Sequence, residues 1–244
     1  MPSFLHGAES ALVAFAFGLV PVLIWLAFWL FEDSRRPEPR GLIFLAFLSG
    51  MVAVLVVLPF QQVAASYLDI GFLLILVWAA IEEVIKFLLA YTMVLRKRDV
   101  DEPIDFPIYL ITVSLGFAAL ENAFFIFSPI IDGHFFDSLL AGNLRFIGAT
   151  LVHVLSSAVI GGALAFAYYR ERTEKIFYGC IGVILAITLH ALFNFLIIST
   201  DSSSALTVFL GVWVGIIFVL LALERVKGLR RPLWWEKIFM KRSK

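Results

Sequence analysis

The chain has 244 residues, of which 61% are hydrophobic and only 16% charged, with a mean hydropathy of +0.97 and a formal net charge of zero. Soluble domains carry about 25% charged residues, so a water-soluble globule is excluded, and a chain without net positive charge is not expected to take nucleic acid as a partner. The single cysteine, Cys180, lies within an apolar run, can form no intramolecular disulfide, and reads as a small buried hydrophobe.

Apolar runs of about 20 residues recur along the chain, each long enough to cross a hydrocarbon core of about 30 Å. In chain order the predicted spans are 8–31, 41–60, 70–91, 107–128, 142–169, 176–198 and 205–223, about seven in all. Each is continuously apolar rather than alternating, and backbone facing lipid must satisfy its hydrogen bonds within its own segment. The expected fold class is therefore all-α, a polytopic transmembrane helix bundle. No Lys or Arg precedes Arg35, so the first run lacks the basic flank of a cleavable signal peptide and reads as a retained span. Residues 1–228 are expected to form a single transmembrane domain with a core site region at about 70–198. Residues 229–244 form a basic cytoplasmic tail, in which Trp234, Trp235, Ile238 and Phe239 give an interfacial helix its lipid-facing side.

The connections sort by charge. Basic residues follow spans one (Arg35, Arg36, Arg40), three (Arg96, Lys97, Arg98), five (Arg170, Arg172, Lys175) and seven, whereas the loops 61–69, 128–141 and 199–204 contain none. All but Lys86 and Arg145 of the 19 basic residues thus fall on one side. The positive-inside rule places the N-terminus outside and the C-terminus in the cytoplasm of a cell membrane, with the lipid bilayer as the surrounding partner. His6 and His134 fall at the outer surface and are assigned no role.

Ionisable groups within a span cost about 2.5–3.5 kcal/mol each at a helix centre, so they mark function by default. They are few here. Span three carries Glu82, Glu83 and Lys86, span four Glu121 and Asn122, span five His153 with Ser157, and span six His190 with Asn194. A spacing of four puts Glu82 over Lys86, Phe117 over Glu121, His153 over Ser157 and His190 over Asn194, each pair on one helix face. Glu83 points to another face, about 100° away. Counted from the outer ends of their spans, Glu82, Glu121, His153 and His190 lie about 12, 7, 11 and 8 residues in, which at helical rise puts all four in one layer of the outer half of the membrane. Phe117 is expected as a wall of that site, and Asn122 and Ser157 as supporting or packing residues.

The run Glu-Glu-x-x-Lys (Glu82, Glu83, Lys86), then Phe-x-x-x-Glu (Phe117, Glu121), then two separated intramembrane histidines (His153, His190) resembles the PrsW family of intramembrane proteases. The stretch Asp101 to Asp105 ahead of Leu115 to Asn122 is similar to that family too, and the resemblance covers about Trp78 to Leu196. PrsW proteins are related to the type II CAAX prenyl endopeptidases, whose pattern is Glu-Glu-x-x-x-Arg, Phe-x-x-x-His and His-x-x-x-Asn. Here Lys86 stands one position closer than the Arg and Glu121 replaces the first His, which disfavours a prenylated substrate, while His190 and Asn194 fit the last motif. The resemblance implies proteolysis of a membrane-anchored protein, an anti-sigma factor in bacterial cases. It extends also to a non-catalytic scaffold subunit of gamma-secretase.

Peptide hydrolysis needs a base for water, a stabiliser for the oxyanion and a donor to the leaving amine. Glu82 beside Lys86 is expected as the base, Glu121 or His153 as the group that holds the water or returns the proton, and His190 with Asn194 as the oxyanion donors. No hydroxyl or thiol at that depth has the context of an activated nucleophile. Two Glu and two His are also legitimate zinc ligands (Glu82, Glu121, His153, His190), but His-Glu-x-x-His is missing and Lys86 would repel a cation near Glu82, so a glutamic peptidase without cofactor is favoured over a zinc enzyme. Two other classes stay open: a proton- or cation-translocating transporter, and a non-catalytic membrane scaffold. The expected topology has a direct check. Single cysteines at Ser66 and Ser203, with Cys180 replaced, should react with an impermeant thiol reagent from outside, whereas Ser34→Cys should not; the opposite labelling would invert the orientation.

Overall fold

A computed structural model describes residues 2–32, 37–131, 135–199 and 202–229, with side chains within 9–31, 37–127, 148–199 and 206–229. Among the described residues there are seven long α-helices and no strand: α1 (Pro2–Glu32), α2 (Arg40–Tyr67), α3 (Phe72–Ala90, continued by a π-helical turn Tyr91–Leu95), α4 (Asp105–Ile131), α5 (Phe135–Phe166), α6 (Arg172–Ser199) and α7 (Ser202–Lys227). Six are long and apolar enough to cross a membrane. The seventh, α3, has 19 residues and carries Glu82, Glu83 and Lys86 among them, so the helix that lowers the span count is the one with three charged residues of the polar cluster. The predicted boundaries are short at most ends. α2 continues to Tyr67, seven residues past the expected end at 60, because Gln61 and Gln62 interrupt the apolar run without breaking the helix. The segment 230–244, with its expected interfacial helix, and the side chains of His6, His134 and Arg145 lie outside the described residues.

The helices present apolar side chains in both directions, as a protein whose solvent is lipid must. Large residues such as Phe31, Ile24, Phe44, Ile184 and Phe218 stay exposed on the outside. Cys180, expected to be buried, is exposed on α6, where hydrophobicity carries no information about direction because both sides of the helix are apolar.

α4 is the central post, packed against α1, α2 and α5, and its buried side chains Ile108, Tyr109, Leu110, Ile111 and Leu115 belong to the main core. Glycines let the neighbours reach its backbone. A Cβ at Gly50 of α2 would run into the Val113 carbonyl, and one at Gly116 of α4 into the Phe47 carbonyl, so the two helices meet through a reciprocal pair. Gly18 of α1 lies against Ala119 and Ala123, and Gly161 of α5 against Pro107. Between α5 and α6, Gly182 meets Ile160 and Ala163 and Gly179 meets Leu164, while Gly162 faces open space. α3 then packs between α2 and α6, and α7 lies mainly on α5.

The basic connections meet at one end of the bundle. Tyr109 of α4 donates its hydroxyl to Glu38 in the α1–α2 connection, Asp105 Oδ2 accepts the Asp101 and Glu102 amides at 2.8 and 2.7 Å, and Phe106 packs on Tyr168 at the end of α5. At the other end Phe72 of α3 packs on Phe195 of α6. The glycine contact yields a prediction. Gly50→Ala should lower thermal stability in detergent by about 1–3 kcal/mol through overpacking against backbone that cannot move aside, while Gly162→Ala, with nothing within 4 Å, should change it by less than about 0.5 kcal/mol.

Candidate functional site

Four helices bring the polar residues together. α3 contributes Glu82, Glu83 and Lys86, α4 Glu121, α5 His153 and α6 His190; all but Glu121 are buried. The Glu121 side chain is 37% exposed because it reaches into a cavity of about 230 Å³. Glu82, His153, His190, Asn122 and Asn194 line the same cavity, so every residue expected as catalytic shares one space. Its walls are completed by apolar side chains including Ile75, Phe125, Val152 and Phe193.

The ion pairing differs from the spacing-based expectation. Lys86 Nζ lies 2.6 Å from Glu83 Oε1, not paired to Glu82, and also donates to His153 Nδ1 at 3.1 Å. Along the helix Lys86 lies about 40° from Glu82 and about 60° from Glu83, so periodicity allows either partner. Glu82 is engaged elsewhere: its Oε1 accepts from Gln61 Nε2 at 2.7 Å, and its Oε2 lies 3.6 Å from His190 Nε2. Glu83, expected to point away from the site, is fully buried within it and accepts His190 Nδ1–H at 2.7 Å on the same Oε1 that holds Lys86.

These contacts set the imidazole tautomers, because an ionised carboxylate only accepts and an ammonium only donates. His190 donates its Nδ1–H to Glu83, and its Nε2 faces Glu82 Oε2 at 3.6 Å. His153 accepts from Lys86 at Nδ1 and therefore carries its proton on Nε2, which donates to Glu121 Oε2 at 2.8 Å. The two rings meet edge to face with centroids 4.8 Å apart. Phe117 sits behind the site rather than facing the cavity: the Lys86 ammonium lies 5.0 Å from its ring centroid and its ring packs edge-on against His153. Asn122 donates to Thr150 at 3.1 Å, and Ser157 is buried one turn beyond His153.

Three donors could hold a metal. Glu82, His153 and His190 each bring one ligand atom to within 4.8 Å of the others. One carboxylate with two imidazoles is a catalytic zinc set, and a carboxylate behind a ligating imidazole, as Glu83 stands behind His190, is the usual outer support of such a ligand. Glu82 Oε2 is buried without a hydrogen-bond partner, an uncompensated acceptor of the kind a cation satisfies. Glu121, included in the four-ligand expectation, is not among the three and bonds His153 instead. Ligation by His153 Nε2 requires the ring proton on Nδ1 instead, the atom that Lys86 faces at 3.1 Å.

The sequence matches the family described as PrsW family intramembrane metalloprotease over residues 38–223. The chain belongs to the PrsW family. Among curated proteins it is similar to Protease PrsW of Geobacillus kaustophilus, 26% identical over 227 residues that cover 88% of this chain and 92% of the relative. Protease PrsW of Clostridioides difficile is 24% identical over 75% of this chain and 78% of its own, and that of Bacillus subtilis 24% over 74% and 80%. No solved structure matches the chain. PrsW membership thus joins a family of intramembrane proteases to a polar site enclosed by apolar helices.

Sequence reasoning missed Gln61, Trp78 and Thr150. Gln61 was placed in a loop, although two adjacent glutamines directly after an apolar run are a signal that the run ends in a polar environment still inside a helix. The geometry predicts that Glu83→Gln is severe rather than mild. It leaves the buried Lys86 ammonium without its carboxylate, which should cost about 3–5 kcal/mol in detergent unfolding, whereas Glu83→Gln combined with Lys86→Met should recover part of that loss.

Proposed function

We propose that this PrsW protein is a metal-dependent intramembrane endopeptidase that cleaves a membrane-anchored protein, such as a single-span anti-sigma factor, inside the cavity between α2, α3, α4, α5 and α6. The observation that carries the reading is the buried Glu82 Oε2, without a hydrogen-bond partner, facing the His190 Nε2 at 3.6 Å while Glu83 holds the Nδ1 proton on the far side of the ring. In this reading residues 1–228 lie in the cell membrane as one domain with the N-terminus outside, and the basic tail from 229 rests on the cytoplasmic surface.

Glu82, His153 and His190 would hold the metal. Zinc bound there supplies Lewis-acid polarisation of a scissile carbonyl and of the attacking water. The chain's own groups do the rest. Glu121, whose side chain is 37% exposed at the cavity, takes a proton from water as the water oxygen adds to the carbonyl carbon. Asn194, one turn from His190, directs its amide N–H toward the carbonyl oxygen as charge develops on it. When the carbon–nitrogen bond breaks, Glu121 returns its proton to the leaving amine. Lys86 and Glu83 neutralise each other and stay outside the exchange, keeping the net charge near the ligands low.

One observation favours a second reading, a glutamic peptidase with Glu82 as base. The Lys86 ammonium at 3.1 Å from His153 Nδ1 fixes the His153 proton on Nε2, the state of a proton donor and not of a ligand. Metal content separates the two. Purified protein should carry about one zinc per chain, and chelation should stop cleavage of a reconstituted single-span substrate, with readdition restoring it. Glu121→Gln should lower kcat by about 10²–10⁴ while leaving zinc content intact, and Glu82→Gln should lose both. Full activity after exhaustive chelation would give Glu82 the role of base. Ion flux into liposomes without cleavage would instead make the protein a transporter, and neither activity would make it a scaffold.

A further inference from the structure

We infer that Gln61, the first polar residue beyond the Pro59 turn of α2, is a positioning residue that aims one oxygen of Glu82 into the site. The inference rests on the reading of Glu82 as a ligand or base. The Glu82 carboxylate has two oxygens in unlike surroundings. Oε1 is taken by Gln61 Nε2 at 2.7 Å, and Oε2 is buried without a hydrogen-bond partner, directed at His190 Nε2 across 3.6 Å. An ionised carboxylate accepts only, so the side facing it must be the NH2 of the amide, and the Gln61 orientation follows from chemistry. Occupying Oε1 stops the carboxylate from rotating about its last bond, which leaves Oε2 as the atom presented to a cation or a water.

Gln61 is itself held at both ends by α3. The Trp78 indole N–H donates to the Gln61 main-chain oxygen at 3.1 Å, and Trp78 precedes Glu82 by one helical turn on the same face. α2 thus lies against α3 through two contacts one turn apart, one to the backbone of Gln61 and one to its side chain. Without the backbone contact, the last turns of α2 would depend on the side-chain hydrogen bond alone for their register with Glu82. Neighbouring Gln62 is exposed and has no such geometry, so it serves as the internal control.

The experiment compares full-length purified wild type, Gln61→Met and Gln62→Met. Met is close to Gln in length and shape but can neither donate nor accept strongly. Cleavage of a reconstituted single-span substrate gives kcat and KM, competition with a chromophoric chelator gives the zinc dissociation constant, and thermal unfolding in detergent reports the fold. Loss of an outer partner of a ligand typically costs 10–100-fold in metal affinity or activity. Gln61→Met should lower kcat by about that factor with KM within about twofold and zinc binding weakened in parallel, while Gln62→Met matches wild type. Should Gln61→Met fail to fold, Trp78→Phe keeps the ring and removes only the indole donor, and the same pattern at reduced size, about 3–10-fold, is expected. A wild type that cleaves without zinc removes the metal reading but leaves this inference standing if Gln61→Met still loses kcat at constant KM. Unchanged kcat and zinc affinity in Gln61→Met, a loss confined to thermal stability, or a wild type that neither binds zinc nor cleaves would each overturn it.

Discussion

A primary ammonium cannot be left bare among apolar helices, and the way this chain neutralises Lys86 organises everything around it. A single carboxylate oxygen, Glu83 Oε1, accepts from Lys86 at 2.6 Å and from His190 Nδ1 at 2.7 Å. Two branches run from that atom. One passes through Lys86 to His153 on α5 and on to Glu121 on α4; the other passes through His190 on α6 toward Glu82, and from there to Gln61 on α2. Five helices are tied to one another by groups that cannot be separated without exposing a charge or an unpaired donor to a medium that solvates neither. The low local dielectric makes such a network costly to break.

That network tolerates little displacement, since a hydrogen bond weakens once donor and acceptor move a few tenths of an ångström apart. The reciprocal contact of Gly50 and Gly116 supplies the needed rigidity by bringing α2 and α4 to backbone contact, where neither can slide without collision. Gly18 and Gly161 add the same constraint for α1 and α5. Close packing therefore lies beneath the polar layer rather than beside it: α4 positions Glu121 and Phe117, and the helices leaning on it carry the partners. The apolar walls of the cavity surround polar groups whose hydrogen bonds are strongest where water is scarce.

Within the PrsW family, the site combines features that belong to different chemistries when taken alone. Glu82, His153 and His190 could hold a metal ion, while Lys86 against His153 fixes that ring's proton on Nε2. The two differ in the His153 tautomer: a ring that ligates through Nε2 carries its proton on Nδ1, the atom that faces Lys86 here. Metal loading at this site would therefore require a proton shift on the His153 ring. Gln61 extends the same logic outward, since it decides which Glu82 oxygen is presented.

What the sequence by itself determined is the inventory: the helical fold class, the number and order of long apolar runs, the sidedness of charge, and which polar residues sit inside. These follow from transfer free energies and backbone hydrogen bonding, which act segment by segment and can be read along one dimension. Glu82, Glu121, His153 and His190 were legible for that reason, as anomalies in runs where anomalies are costly. Partnership was not. Lys86 lies within reach of both Glu82 and Glu83 on the helix wheel, and only the rotation of α3 against α6, where His190 arrives beside Glu83, chose between them. Gln61 was hidden behind the apparent end of a span, because hydropathy measures where a segment turns polar and not where a helix stops. The tertiary structure decided which atoms face one another, since interhelical distance depends on packing between segments remote in the chain, and no spacing within a segment records it.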